Sequence, residues 1–370
     1  MGYGGKVPHG MTTYLVIVLP LVRAAGHEVM ACFLREPHDS ARDLERQGVA
    51  TRFINARRYD PTIPFKVAQV IREFKPDLVH ATQVQAVAVA RLLRGFGFRY
   101  SLLLHMHNLD VLPAPLRWAN HCLPQPEQAL CVSKAAMGPA ITEFGLATRV
   151  VRVFYNAFDA ARFGAIGPEE GLQVRAELGI PAQAPVVGRA ARFCLDKAND
   201  RLVRVMPEIL RRVPDAHAIL AGDGEERPGC EALARELGVA ERTHFMGHRT
   251  DVARIVDACD VMTVTSPADT YPYAALEAYA LGKPVIGYRA GGMPELVQHD
   301  VTGFLAEPDD HLAFARFIAQ CLVDRPLRER LGAGGREFVR RFTIEGHVRE
   351  LLDIYDRTLI AGRSGRAAAR

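Results

Sequence analysis

Along almost the whole chain, short apolar runs alternate with stretches whose apolar residues recur every three or four positions. In the first half the runs predict strands over 28–34, 50–54, 78–82, 100–105, 128–132 and 150–154. Helical patterns lie between them, over 65–74, 85–94 and 134–144 among others. A second series predicts strands over 185–189, 216–221, 243–246, 261–265, 284–288 and 303–306, with helices over 199–212, 230–237, 252–258, 273–281 and 311–322. Strands alternating with helices imply an α/β protein with parallel sheets covered by helices. The two series predict two doubly wound domains, 1–160 and 183–342, joined by a linker over 161–182 rich in Gly, Pro and small residues. Beyond them, Val348, Leu351, Leu352, Ile354, Tyr355 and Leu359 stand at helical spacing, predicting a terminal helix over 343–360. Residues 361–370 are small and basic and are expected to form a disordered tail.

Length and composition sharpen this picture only in part. With 370 residues, 49% hydrophobic and 24% charged, the chain has the profile of a globular protein with two ordinary domains. Its net charge of +4 is spread along the sequence, which does not point to a nucleic-acid binder. The seven cysteines are an odd number, widely spaced and without a CxxC pattern, so free thiols in a reducing cytoplasm are expected. Lys6 and the apolar run over 14–22 faintly resemble a signal peptide, but Pro20 interrupts the run, and a first helix stopped by Gly26 is the expected reading. Gly2 does not mark myristoylation, because Lys6 stands where Ser or Thr is required.

Candidate chemistry concentrates in residues 266–285, SPADTYPYAALEAYALGKPV. The stretch starts at a strand end, places Pro272 at the opening of a helix, and closes that helix with Gly282 and Pro284. Amides from about Tyr273 onward have no partner within such a helix and suit a diphosphate. Asp269 precedes the helix and Glu277 lies along it. Two acids at this spacing are, taken alone, ordinary solvated residues.

Their surroundings change that weighting. The stretch resembles the hallmark of the group 1 (family 4) retaining glycosyltransferases, Glu-x7-Glu in a strand–loop–helix. The resemblance continues through Pro284–Val297 (PVIGYRAGGMPELV), Gly303-Phe-Leu, Gly222-Asp-Gly-Glu and His244–Val252 (HFMGHRTDV). It covers essentially the whole chain, with Asp269 in place of the first Glu. What it implies is a GT-B fold, two Rossmann-like doubly wound domains facing across a cleft. The terminal helix would pack back toward the N-terminal, acceptor-binding domain, and the C-terminal domain would bind the donor.

The resemblance also assigns residues. Arg192 and Lys197, in Arg192-Phe-Cys-Leu-Asp-Lys197, would neutralise the donor diphosphate, with Arg189 as a rival for the arginine's part; a departing nucleoside diphosphate needs such fixed cations. By themselves these are equally the residues of a basic loop before a helix. Asp269 would bond sugar hydroxyls and Glu277 the ribose. Arg249, Tyr273, Ala274, Ala275 and Leu276 complete the donor-binding set, together with Gly4 and Gly5 of a glycine-rich loop whose bare backbone suits phosphates. No strand precedes that loop, so the family's first β-strand is expected to be missing. His107, at a strand end, matches the histidine that meets the donor sugar; His105 and His80 would line the acceptor cleft, and Ser133 and Asn156 its floor. A strand-end histidine is equally a structural hydrogen-bonder.

The expected activity is metal-independent transfer, with retention, of a sugar from a UDP- or GDP-sugar to a hydroxyl of a glycan or lipid-linked acceptor, in cell-envelope polysaccharide, lipopolysaccharide or glycolipid synthesis. No cofactor is expected beyond the nucleotide-sugar substrate, and no nucleic-acid partner. An epimerase or phosphorylase of the same architecture and a non-catalytic sugar-nucleotide binder are the alternatives. A dinucleotide-dependent oxidoreductase is disfavoured, since no GxGxxG follows a strand. A cytoplasmic protein is expected; Arg91–Arg99 (RLLRGFGFR) mixes basic and apolar residues, as either a patch for an anionic membrane surface or an ordinary helix end would.

Overall fold

The computed structural model describes residues 10–35, 39–57, 60–107, 109, 111–167 and 169–368. The chain divides into two compact units, Met1–Ala157 with Ile344–Arg370, and Phe158–Thr343.

The first unit carries parallel strands β1 (Met30–Phe33), β2 (Ala50–Phe53), β3 (Leu78–Thr82), β4 (Ser101–Met106), β5 (Gln128–Cys131) and β6 (Val151–Val153). Every residue of β4 is buried, which is why it reads as an unbroken run of mainly apolar residues rather than an alternating strand. Among the described residues the strands form two sheets, β1-β2 and β3-β4-β5-β6. The expectation that the first strand is missing concerns residues 1–9, which lie outside the described residues, as do Gly4 and Gly5.

The apolar run near the N-terminus is the helix Gly10–Ala24, and Gly26 follows it at φ +97°, a backbone that a glycine adopts without strain. Its face of Tyr14, Val18 and Val22 packs with Leu103 and Leu130 of the sheet and with Leu351 and Ile354 of the last helix. None of the described helices is long and apolar enough to cross a membrane. The last helix, Ile344–Ala368, runs beyond the expected end at residue 360, through much of the stretch expected to be a disordered tail.

In the second unit, β7 (Val186–Ala190), β8 (His217–Ala221), β9 (Thr243–Gly247), β10 (Val261–Val264), β11 (Val285–Tyr288) and β12 (Gly303–Ala306) make one parallel sheet of order β12-β11-β10-β7-β8-β9. Counted within the unit this is the doubly wound order 3-2-1-4-5-6, and the topological switch falls between β7 and β10. The core gathers Leu202, Met206 and Ile209 of the helix Asp200–Arg212 with Phe314 and Ile318 of the helix His311–Val323.

The stretch 161–182 is not a free linker. It holds most of the helix Ala160–Phe163 and all of Glu170–Glu177. The buried Arg175 donates to the carbonyls of Ala258 (2.8 Å), Ala182 (2.7 Å) and Ala184 (2.8 Å) and to Asp260 Oδ2 (3.1 Å). An arginine with that many acceptors fastens its helix to the second unit.

Candidate active site

In an open parallel sheet a ligand binds beyond the carboxyl ends of the strands at the switch point. In the second unit the chain leaving β7 there is the segment 191–199, and the chain leaving β10 is the segment 265–272. The first is laced to its neighbours through its backbone. Ala191 N donates to Ala221 O (2.9 Å) and Phe193 N to Asp223 O (2.9 Å), while Asn199 Nδ2 donates to Arg192 O (2.8 Å). The turn Leu195–Lys197 closes with Ala198 at φ +46° before the next helix starts. Lys197 O accepts both Thr265 Oγ1 (2.9 Å) and Arg189 Nη2 (3.1 Å). The Lys197 backbone is thus fixed, and its ammonium forms an ion pair with Asp269 Oδ2.

Asp269 is held from the other side. Gly292 N donates to Asp269 O (2.8 Å), and Gly291 takes φ +54° so close that a Cβ there would stand 2.3 Å from the same oxygen. The following helix, Tyr273–Ala280, has Pro272 in an extended conformation at its N-cap. Ala275 N bonds back to Pro272 O (3.1 Å), and Tyr273 and Ala274, the first two residues of the helix, have first-turn amides to offer. Glu277 has no hydrogen bond or ion pair among the described residues, and burial pushes its carboxyl up to about 7. Arg249 is committed elsewhere: it forms a fork with Asp251 (2.7 and 2.6 Å) and also reaches Glu177. Its carboxylate partners occupy the donors that a phosphate would need.

In the first unit, His107 follows directly after β4. Burial pushes its pKa down to about 3, so the ring is neutral. Its ring centre is 4.0 Å from that of His105, which stacks on His80 at 5.3 Å. Tyr14 OH pairs with His347 Nε2 (3.0 Å), and His80 Nδ1 with Tyr355 OH (2.9 Å). His105 is wholly buried beneath Tyr14 and the last helix, which corrects the expectation that it lines an open cleft. Ser133 and Asn156 are buried as well, and Ser133 Oγ accepts Ala136 N (3.3 Å) in a local turn. No cluster of three or more His, Cys, Asp or Glu among the described residues has the arrangement of a metal site.

With this geometry in place, two family models divide the chain. The one described as Glycosyltransferase Family 4 matches residues 8–162, and the one described as Glycosyl transferases group 1 matches residues 172–338. The chain belongs to the group 1 glycosyltransferases. It is similar to the lipopolysaccharide core biosynthesis glycosyltransferase LpsD of Rhizobium meliloti, 28% identical over 354 residues and spanning 94% of this chain and 95% of that protein. N-acetyl-alpha-D-glucosaminyl L-malate synthase of Bacillus anthracis is 26% identical over 316 residues, 83% of this chain and 82% of the other. Among solved structures, HepE of Anabaena in complex with UDP-glucose shares the fold at a TM-score of 0.83 and 24% identity, covering 95% of this chain and 97% of that one. The GT-B fold expected from the sequence is therefore that of this glycosyltransferase.

Two features of this glycosyltransferase's switch point escaped the sequence reading. One is the buried web of Arg189, Asn199, Thr263 and Ser266. The other is the fit of Gly291 against Asp269. The Ala290-Gly291-Gly292 run was the available signal for the second, because paired glycines mark a backbone that needs positive φ.

Proposed function

We propose that this glycosyltransferase transfers a sugar from a nucleoside-diphosphate donor to a hydroxyl acceptor, with retention at the anomeric carbon and without a metal, in the assembly of a cell-envelope glycan. The observation that carries the reading is the ion pair, at the switch point, between the fixed cation Lys197 and Asp269, the first acid of the Asp-x7-Glu element. Lys197 and Arg192 would take up the charge that grows on the departing diphosphate, helped by the amides of Tyr273 and Ala274. Asp269 would accept hydrogen bonds from sugar hydroxyls. The unpartnered Glu277 carboxylate would hold the ribose diol. His107, being neutral, offers hydrogen bonding rather than charge. Support for a glycan-building role comes from the full-length likeness to a lipopolysaccharide core enzyme, and for a uridine donor from the UDP-glucose held by HepE.

The test is a thermal-shift panel of UDP-, GDP- and ADP-sugars, followed by turnover with the best stabiliser with and without chelator. Proton NMR of the new linkage reads its anomeric configuration. Inversion at the anomeric carbon, loss of turnover on chelation, or isomerisation of the donor without transfer would each overturn this reading.

A further inference from the structure

Arg189 stands beneath the proposed donor site and is almost fully buried, at 2% exposure. Among the described residues, no carboxylate is within hydrogen-bond reach of its guanidinium. Instead Nε donates to Asn199 Oδ1 (3.1 Å), Nη1 to Thr263 O (3.2 Å), and Nη2 to both Lys197 O (3.1 Å) and Ser266 Oγ (3.3 Å). These acceptors belong to the two segments that leave the switch point. Asn199 and Lys197 lie in the segment after β7, and Thr263 and Ser266 lie at the end of β10, on the way to Asp269. One side chain therefore bolts the segment carrying Lys197 to the strand end carrying Asp269.

A buried cation without an ion pair is costly, and a structural bolt alone does not require one, since apolar residues of similar volume pack as well or better. Burial lowers the guanidinium's pKa to about 10, which still leaves it charged at neutral pH. The nearest acid to act on it, Asp269, is already paired with Lys197. The three groups together thus carry one surplus positive charge below the place where a diphosphate would rest. Resting on the function proposed above, we propose that Arg189 is a positioning residue for sugar transfer: it fixes the Lys197 backbone relative to Asp269 and adds a buried positive charge under the leaving diphosphate. It does not touch the donor itself, which leaves the contacting arginine's part to Arg192.

The test is steady-state kinetics of Arg189→Lys, Lys197→Ala and the double variant, with Thr265→Val as a milder probe. Thr265→Val removes the other hydrogen bond to Lys197 O while leaving the charge and most of the packing in place. Arg189→Lys keeps the charge and loses the fork. We expect kcat to fall by about tenfold to a hundredfold for Arg189→Lys, as small misplacements of catalytic groups do, and by less for Thr265→Val, with the acceptor KM unchanged in both. In the Lys197→Ala background the Arg189→Lys effect should shrink severalfold, because the arginine acts through the lysine. Full multiplication of the two effects, or a lowered melting temperature with kcat unchanged in both Arg189→Lys and Thr265→Val, overturns the proposal. If Lys197→Ala itself turns over normally, the donor-site reading fails first. Should Arg189→Lys fail to fold, the Thr265→Val and Lys197→Ala cycle decides alone.

Discussion

Lys197 forms an ion pair with Asp269 across the switch point of the second unit, so the first acid of the Asp-x7-Glu element is neutralised by the cation proposed to receive the diphosphate. The pair sets these two tasks in competition. Lys197 must share its charge between the acid and the phosphates, and Asp269 must keep an oxygen for the sugar.

Removing the acid's charge should therefore separate binding from turnover. In Asp269→Asn the lysine is released toward the phosphates, and we expect UDP to bind severalfold more tightly while transfer falls by at least about a hundredfold. A partly buried pair of this kind is worth on the order of 1 kcal/mol, which sets the size of the binding gain. Isothermal titration with UDP and initial rates with the donor sugar check the two halves. Weaker UDP binding in Asp269→Asn would show that the acid holds Lys197 in place rather than competing for it.

Glu277 gives a pH dependence with opposite signs for binding and stability. Its carboxyl is raised by burial to about 7, above the ordinary value of 4.5. The folded chain thus takes up its proton more readily than the unfolded one. Stability from this group is fully present below about pH 4.5 and is lost as pH rises through 7. Glu277→Gln should be more stable than the parent at pH 8, by roughly 1 to 3 kcal/mol, and the lower figure is favoured because the side chain retains some solvent contact. The two should converge near pH 4. Donor binding runs the other way, since the carboxylate is the better acceptor for ribose hydroxyls, so donor KM should rise as pH falls below 7 in the parent and stay flat in Glu277→Gln. Melting curves across pH and donor titrations at pH 6 and 8 separate the two effects.

The strands were legible because fully buried parallel strands leave continuous apolar runs, and β10 to β12 fall within a residue or so of their expected places. The helix that follows Asp269 and carries Glu277 was legible because it has its own punctuation, Pro272 before it and Gly282 after it. What stayed hidden depends on contacts distant in sequence. His105 is covered by Tyr14 and by a helix whose His347 is bonded to Tyr14 across 333 positions, and no local pattern announces that. Arg189 reads in the sequence as a rival of Arg192 for the diphosphate, and only the fold reveals that four acceptors converge on it. Arg249 fitted a motif, yet two acids two and 72 residues away claim its guanidinium.

The histidine cluster of the first unit predicts acid lability. His80 and His347 are both pushed down to about 4 by burial, and His105 is pushed well below its ordinary value for the same reason. The unfolded chain protonates these rings near 6.5, whereas the folded chain resists until about 4. Their contribution is intact above about pH 6.5 and is lost as pH falls through that window. Hydrogen exchange should show β4 and the start of the last helix losing protection between pH 6.5 and 5, ahead of the sheet of the second unit. Replacing His105 by Leu, which removes a buried imidazole without hydrogen-bond partners among the described residues, should blunt the drop. Equal loss of protection in both units would assign acid lability to some other groups.

Gly291 offers the sharpest separation of strain from function. It lies at φ +54°, and a methyl group there would stand 2.3 Å from Asp269 O, a contact that cannot be relieved by turning a flexible side chain because the neighbour is backbone. Gly26 also has positive φ, +97°, but nothing lies within 4 Å of its missing methyl. Alanine at either position costs about 1–2 kcal/mol for the left-handed backbone. Only Gly291→Ala should add a displacement of the Asp269 main chain, on which the carboxylate's reach toward both Lys197 and the donor sugar depends. We expect comparable losses of melting temperature from strain at the two sites, somewhat larger at Gly291, with full turnover in Gly26→Ala. In Gly291→Ala, kcat/KM for the donor should fall by about a hundredfold, the scale that misplacement by about an ångström produces. Normal turnover in a folded Gly291→Ala would mean that the backbone at Asp269 tolerates the shift, and that its carboxylate is not held to the tight geometry argued above.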